Sequence, residues 1–184
     1  IHLNLLQIDL HQQGKGVLAS RLVGISEKIS DGVRRVVMDL SPIELKELGL
    51  YMAVAHGSIA KIARQAGLHY EVVLKGSVED LDRLDDATNL AAYRIIQESV
   101  TNVIKHAHAS RCRVTLSVDQ RRGELYMIVG IQDDGIGLHK VPNVEKAFIS
   151  IRDRALALNG NLHIRSRFGL RVHALLRQQV APYM

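Results

Sequence analysis

Cysteine, tryptophan and phenylalanine are scarce in this chain, and each scarcity removes a class of protein. A single cysteine, Cys112, cannot close an internal disulfide, so a disulfide-stapled secreted scaffold is excluded and a reducing, cytoplasmic setting is expected. It sits in the alternating run Arg111-Cys112-Arg113-Val114-Thr115-Leu116, where a strand position accounts for it better than a reactive thiol or metal ligand. With no Trp, two Phe and five Tyr, there are few rings on which bases could stack. The formal charge of +5 comes from dispersed Lys and Arg, so nucleic acid is not an expected partner. No apolar run approaches the roughly 18 residues that a membrane-crossing helix needs, and no charged-then-apolar leader opens the chain. Membrane attachment is expected only through segments upstream of Ile1, which itself falls inside an apolar pattern and so suggests a fragment of a larger protein.

What is present supports one substantial core plus an accessory element: 47% of the 184 residues are apolar. Ile1, Leu5 and Ile8 begin a helical stripe that breaks at the polar turn Gln12-Gln13-Gly14-Lys15-Gly16. A second stripe runs through Leu22, Ile25, Ile29, Val33, Val36 and Leu40, in steps of three or four as in a bundle seam. Two helices bury two such stripes poorly. Residues 1–40 are therefore expected to form an antiparallel helical hairpin that dimerises into a four-helix bundle, with packing against the following domain as the alternative.

Residues 41–184 read as a second domain. Ser41-Pro42-Ile43-Glu44 marks a helix start, with Glu44 reaching back to Ser41 in a capping box, and the helical pattern runs from Leu45 to Ala66. A strand comes next at His69–Leu74, then the acidic stretch Val78–Asp86, read as a solvated connector. After another helix come two strands joined by Gln120-Arg121-Arg122-Gly123, a helix near Glu145 to Leu158, and a hairpin of Asn161–Arg167 and Leu170–Leu176 turning at Phe168-Gly169. Strands covered by helices predict an α+β, two-layer sandwich.

Two segments carry chemistry. On the helix Gln97–Ala107, Glu98, Asn102 and Lys105 recur at i, i+4 and i+7, while Ile96, Val100 and Val103 cover another face. One face can pack and the other can hold a ligand. An Asn carbonyl oxygen suits Mg²⁺, a Lys neutralises phosphate charge, and Glu98 could orient or deprotonate an attacking group. The second segment, Asp133-Asp134-Gly135-Ile136-Gly137, comes after the apolar run Leu125–Ile131, so its acidic pair lies where a buried strand ends. Gly135 and Gly137 permit a close backbone approach.

Either segment alone is commonplace, but their order and spacing resemble the N box and first glycine box of the Bergerat-fold ATPases. The run Tyr93-Arg94-Ile95-Ile96-Gln97-Glu98 through Lys105-His106-Ala107-His108-Ala109-Ser110 is similar to sensor histidine kinases whose dimerisation domain pairs with NarL-like response regulators. That resemblance implies a homodimer that binds Mg-ATP and transfers phosphate to a His and then to a response-regulator Asp. It implies Asn102 as the Mg²⁺ ligand, Glu98 as the catalytic carboxylate, Asp133 on the adenine amino group, and Lys105, Gly135 and Gly137 as further ATP-binding residues. His106 is expected to pack beside the pocket.

Three departures stand against the resemblance. The phosphoacceptor His would precede Ile1, and neither His2 nor His11 has the acidic neighbour it requires. Where a second glycine box should precede Ile151-Arg152-Asp153-Arg154, the chain has Glu145-Lys146-Ala147-Phe148-Ile149-Ser150, whose side chains would obstruct backbone amides that approach phosphate. Leu170 replaces a Thr expected near the adenine-binding Asp. The alternative function is accordingly a non-catalytic dimeric regulatory module with a degenerate nucleotide pocket.

Overall fold

A computed structural model describes Val17, Ser20 and residues 42–138, 148–166 and 169–178. The chain divides into two compact units, Ile1–Pro42 and Ile43–Met184. The expected hairpin over residues 1–40 and its dimer seam lie outside the described residues, as do Ser41, Glu145, Lys146, Ala147 and the Phe168 turn.

The second unit contains the helices α1 (Ile43–His56), α2 (Ser58–Gln65), α3 (Val78–Asp82), α4 (Asp86–Asn102) and α5 (Ile149–Ala157). Its strands are β1 (His69–Lys75), β2 (Arg111–Arg121), β3 (Glu124–Asp133), β4 (Asn161–Ser166) and β5 (Leu170–Arg177). They form one mixed sheet in the order β1-β2-β3-β5-β4, with β1 parallel to β2 and the other neighbours antiparallel. Period-two alternation sorts its faces. Tyr70, Cys112, Val114, Leu116, Met127, Val129, Ile131, Val172, Ala174 and Leu176 are buried, while Arg111, Arg113, Arg171 and His173 between them are exposed. Against the buried face lie Tyr93, Ile96 and Val100 of α4 and Ile151 and Ala155 of α5. Each large apolar side chain so buried contributes about 1.5–3 kcal/mol. The expected α+β two-layer arrangement is the one found.

The helix expected from Leu45 to Ala66 is broken twice. Gly49 sits at φ 73°, ψ 169° and kinks α1, and Gly57 separates α1 from α2. At Gly57 a Cβ would collide with the Ala53 carbonyl and the Glu44 carboxylate. Glu44 is the reason for this close approach, because its side chain caps α2; the expected capping box with Ser41 lies outside the described residues. Its Oε2 accepts from the Ser58 backbone N–H at 2.9 Å, and its Oε1 accepts from the Ser58 hydroxyl at 2.7 Å and from the Tyr93 hydroxyl. Burial raises the Glu44 carboxyl, but the hydrogen bonds from Tyr93 and Ser58 outweigh it and hold the group below its usual range. The Tyr93 phenol is pushed up to about 12 by burial and by that bond to Glu44.

The acidic stretch after β1 is also more than a solvated connector. Ser77 and Asp80 form a capping box, with Ser77 N–H donating to Asp80 at 3.2 Å and Asp80 N–H donating to Ser77 Oγ at 3.3 Å. The short α3 that results buries Leu81 and is followed by buried Leu84, two apolar anchors among carboxylates. No helix among the described residues is long and apolar enough to cross a membrane.

Candidate nucleotide-binding site

The site is built from the end of α4, the loop after β3, the β4–β5 hairpin and the start of α5. Asp85 caps α4, accepting from the Thr88 backbone N–H at 2.7 Å. The predicted stripe is buried: Ile96, Val100 and Val103 all face the core. Glu98 and Asn102 are half-buried on another part of the helix. Beyond Asn102 the chain changes to a π-helical turn, Val103–Ala107, and stops at His108 with φ 50°. A π turn holds an extra residue and shifts the phase of the side chains within and beyond it. The i, i+4, i+7 face therefore holds from Glu98 to Asn102 but not to Lys105, which is exposed in the wider turn. His106, expected to pack beside the pocket, is exposed as well.

The loop after β3 is tied down on three sides. Asp134 turns outward, its Oδ1 accepting from the backbone N–H groups of Ser110 and Arg111, each at 2.8 Å, and its Oδ2 from the Ser110 hydroxyl at 2.6 Å. Those bonds from Ser110 and Arg111 bring its carboxyl down to about 2. Next, Ile136 N–H donates to the Ala107 carbonyl at 2.9 Å, and Gly135 approaches so closely that a Cβ would run into the same carbonyl. Gly137 has φ 68°, and a Cβ there would run into the Ser166 hydroxyl. Ser166 Oγ accepts from Leu138 N–H at 2.8 Å and donates to the Gly169 carbonyl at 3.3 Å, joining the loop to the hairpin. Sequence reasoning misses Ser166, since its only signal is its place beside the predicted Gly169 turn.

Asp133 points the other way, into the protein, and is only 3% exposed. Its Oδ1 accepts from Gly135 N–H at 2.8 Å and Leu170 N–H at 3.3 Å, but its buried Oδ2 has no hydrogen-bond partner among the described residues. Burial raises its carboxyl above the usual range, the two backbone bonds oppose this in part, and the Asp134 charge adds to it. Leu170 thus serves Asp133 through its backbone and brings no hydroxyl.

At the opposite wall, α5 begins at Ile149 and is preceded by Phe148, whose side chain makes no cap; the expected start near Glu145 lies outside the described residues. Ser150 Oγ donates to Glu98 Oε2 at 2.8 Å, so the residue standing where a glycine was expected engages the carboxylate expected to act in catalysis. Cys112 is buried and free, and burial, with Asp133 and Asp134 nearby, pushes its thiol up to about 12. A recess of about 510 Å³ at the ends of β1, β2 and β3 is lined by Asp133 and Asp134 together with Cys112, His69, Glu71, Arg111, Arg113 and Gln132.

Comparison with known proteins places this geometry. Residues 87–179 match the histidine kinase-, DNA gyrase B- and HSP90-like ATPase family, and the chain belongs to it. Its similar proteins narrow the class to sensor histidine kinases. It is 31% identical to the histidine-protein kinase/phosphatase UhpB of Salmonella typhimurium over 162 residues, covering 84% of this chain and 30% of that protein. It is 31% identical over 155 residues to an uncharacterised sensor-like histidine kinase of Chloroflexus aurantiacus, covering 80% and 25%, and 25% identical over 168 residues to the oxygen sensor histidine kinase NreB of Staphylococcus carnosus, covering 88% and 46%. The chain therefore spans a quarter to about half the length of these relatives. Among solved structures, Acinetobacter baumannii histidine kinase AdeS shares the fold at TM-score 0.59 and 16% identity, with 96% of this chain and 93% of that one covered.

Proposed function

We propose that this chain is the dimerisation and ATP-binding core of a two-component sensor histidine kinase of the type paired with NarL-like response regulators. The observation that carries the reading is the bare Oδ2 of Asp133. A buried acceptor left unpaired costs about 1–3 kcal/mol, and an exocyclic amino group such as that of adenine supplies the missing donor. ATP, when bound, supplies the phosphoryl group.

The chain's own residues then have distinct tasks. Asn102 offers Mg²⁺ a neutral oxygen, and its amide makes no hydrogen bond among the described residues. Such a metal, completed by phosphate and water, needs no cluster of protein carboxylates. Lys105, exposed in the π turn, would offer its ammonium to the phosphates, Gly135 and Gly137 would keep the loop close, and Glu98 would orient or deprotonate the attacking group. The phosphoryl group passes to a His supplied by the dimerising helices and then to a response-regulator Asp. Residues 1–40 supply the homodimer seam, and Ile29→Glu would give a monomer by light scattering.

The second reading, a dimeric regulatory module with a degenerate pocket, is favoured by the Ser150–Glu98 bond and by Leu170. Calorimetric titration of Mg-ATP decides between them. Binding that loses its Mg²⁺ dependence in Asn102→Ala supports the kinase core; no binding, gained when Glu145, Ala147 and Ser150 are all changed to Gly, supports the degenerate module.

A further inference from the structure

The sheet face turned away from the helices carries an unbalanced charge pattern. The ladder between β4 and β5 sets Arg165 directly opposite Arg171, and His163 directly opposite His173. Like charges facing each other across a ladder are destabilising. The same row continues to Gln132 and Arg113, since Arg171 pairs with Gln132 and Gln132 with Arg113. No described carboxylate lies within ion-pair distance of Arg111, Arg165 or Arg171, all of them exposed. Burial and the charges of Arg171, Arg165 and His163 hold His173 below its usual range, an independent sign that these cations share one field.

Elsewhere on the face the arginines are matched, while Lys75, which also acts on His173, has no ion pair among the described residues. Arg113 pairs with Glu71 and Arg121 with Asp119, at 2.8 and 2.7 Å, and Arg177 pairs with Glu124. The unmatched half is thus a local feature rather than a general excess of charge.

We propose that this half of the face, centred on Arg165 and Arg171, docks a protein segment carrying clustered carboxylates. Four observations choose that occupant. The cations at the centre are arginines, whose planar forks bind carboxylates in pairs of hydrogen bonds. Strand spacing and pleat set them about 5 and 7 Å apart, the scale of carboxylates on one face of a helix or strand. A lipid surface is disfavoured because none of the exposed large apolar side chains among the described residues lies on this face to anchor in a bilayer. A nucleic acid is disfavoured because the face's tyrosine, Tyr126, is occupied with Glu124 and lies beneath Arg121. Neither Arg165 nor Arg171 hydrogen-bonds Asp133 through its side chain, so peptide docking is measured independently of nucleotide binding.

The test titrates a fluorescein-labelled oligoglutamate peptide into the full chain at low and moderate salt, following anisotropy, with phosphatidylserine vesicles and duplex DNA as parallel probes. The expected result is salt-sensitive peptide binding that weakens about tenfold or more in Arg165→Gln/Arg171→Gln and less than about threefold in the ion-paired control Arg113→Gln/Arg121→Gln. Arg165→Lys/Arg171→Lys keeps the charge but removes the forks, and should weaken binding about threefold or more, which guards against a folding defect in the Gln variant. Absence of peptide binding at low salt, equal loss in both Gln variants, or vesicles or DNA showing the same dependence on Arg165 and Arg171 would overturn the proposal.

Discussion

Asp133 and Asp134 stand one residue apart at the end of β3, yet the first is buried with one oxygen bare while the second is exposed with both oxygens hydrogen-bonded. Their carboxyls move in opposite directions, Asp133 up through burial and Asp134 down to about 2 through Ser110 and Arg111. The contrast separates a residue that holds the loop from one that the loop holds for something else. Saturated hydrogen bonding marks the fastener, and a buried group short of a donor marks the receptor.

The contrast can be broken hardest through the loop both residues share. Gly135→Val drives a side chain into the Ala107 carbonyl, so the loop must leave the π turn. Calorimetry should then show no nucleotide binding, and the Tm should fall by roughly 5 °C or more. A sharper cut is Asp133→Asn, which keeps an acceptor for Gly135 and Leu170 but turns an amide donor toward the base. Preference for adenine should reverse toward guanine by about tenfold or more, because a bare acceptor becomes a donor. The Tm at pH 7 should hold or rise, since a buried charge is removed.

Asp134→Ala should do the opposite, leaving base preference intact while lowering the Tm. The pH dependence has a definite sign. A carboxyl held down in the folded state stabilises above its unfolded pKa of about 4 and loses that contribution as pH falls toward its folded value of about 2. The Asp134→Ala difference should therefore shrink over that window in acid unfolding. Asp133, raised in the folded state, disfavours the fold when ionised, a penalty that begins to fall as pH drops through its folded pKa and is gone below its unfolded pKa of about 4. The smallest effect expected is at Cys112, whose buried thiol should react with iodoacetamide at pH 8 more slowly than in the denatured chain.

Much of the fold is legible in the sequence because it is local. Ile96, Val100 and Val103 declare a buried helix face by spacing alone, and the β4–β5 hairpin is announced by alternation on both sides of Gly169. The bonds of Glu44 to Ser58 and Tyr93 are not legible in the sequence because those partners are 14 and 49 residues away. Spacing puts Lys105 on an α-helical face because composition gives no sign of a π turn. Leu81 and Leu84 show the three-residue spacing that points to α3, outweighed by the acidic residues around them. Ser166 is invisible in the sequence since its role exists only once Gly137 and the hairpin meet.

The parallel pairing of β1 with β2 bears on the order of assembly. The hairpins β2–β3 and β4–β5 close over short turns, whereas β1 can join only after residues 76–110, α4 included, have been folded back across the sheet. Glu98 and Asn102 travel on that crossover, while Asp133 waits at the end of a strand formed from nearby sequence. The residues proposed for the base and for the phosphates thus sit on segments that this parallel pairing brings together. A nucleotide bridging them would slow unfolding and leave the folding rate almost unchanged.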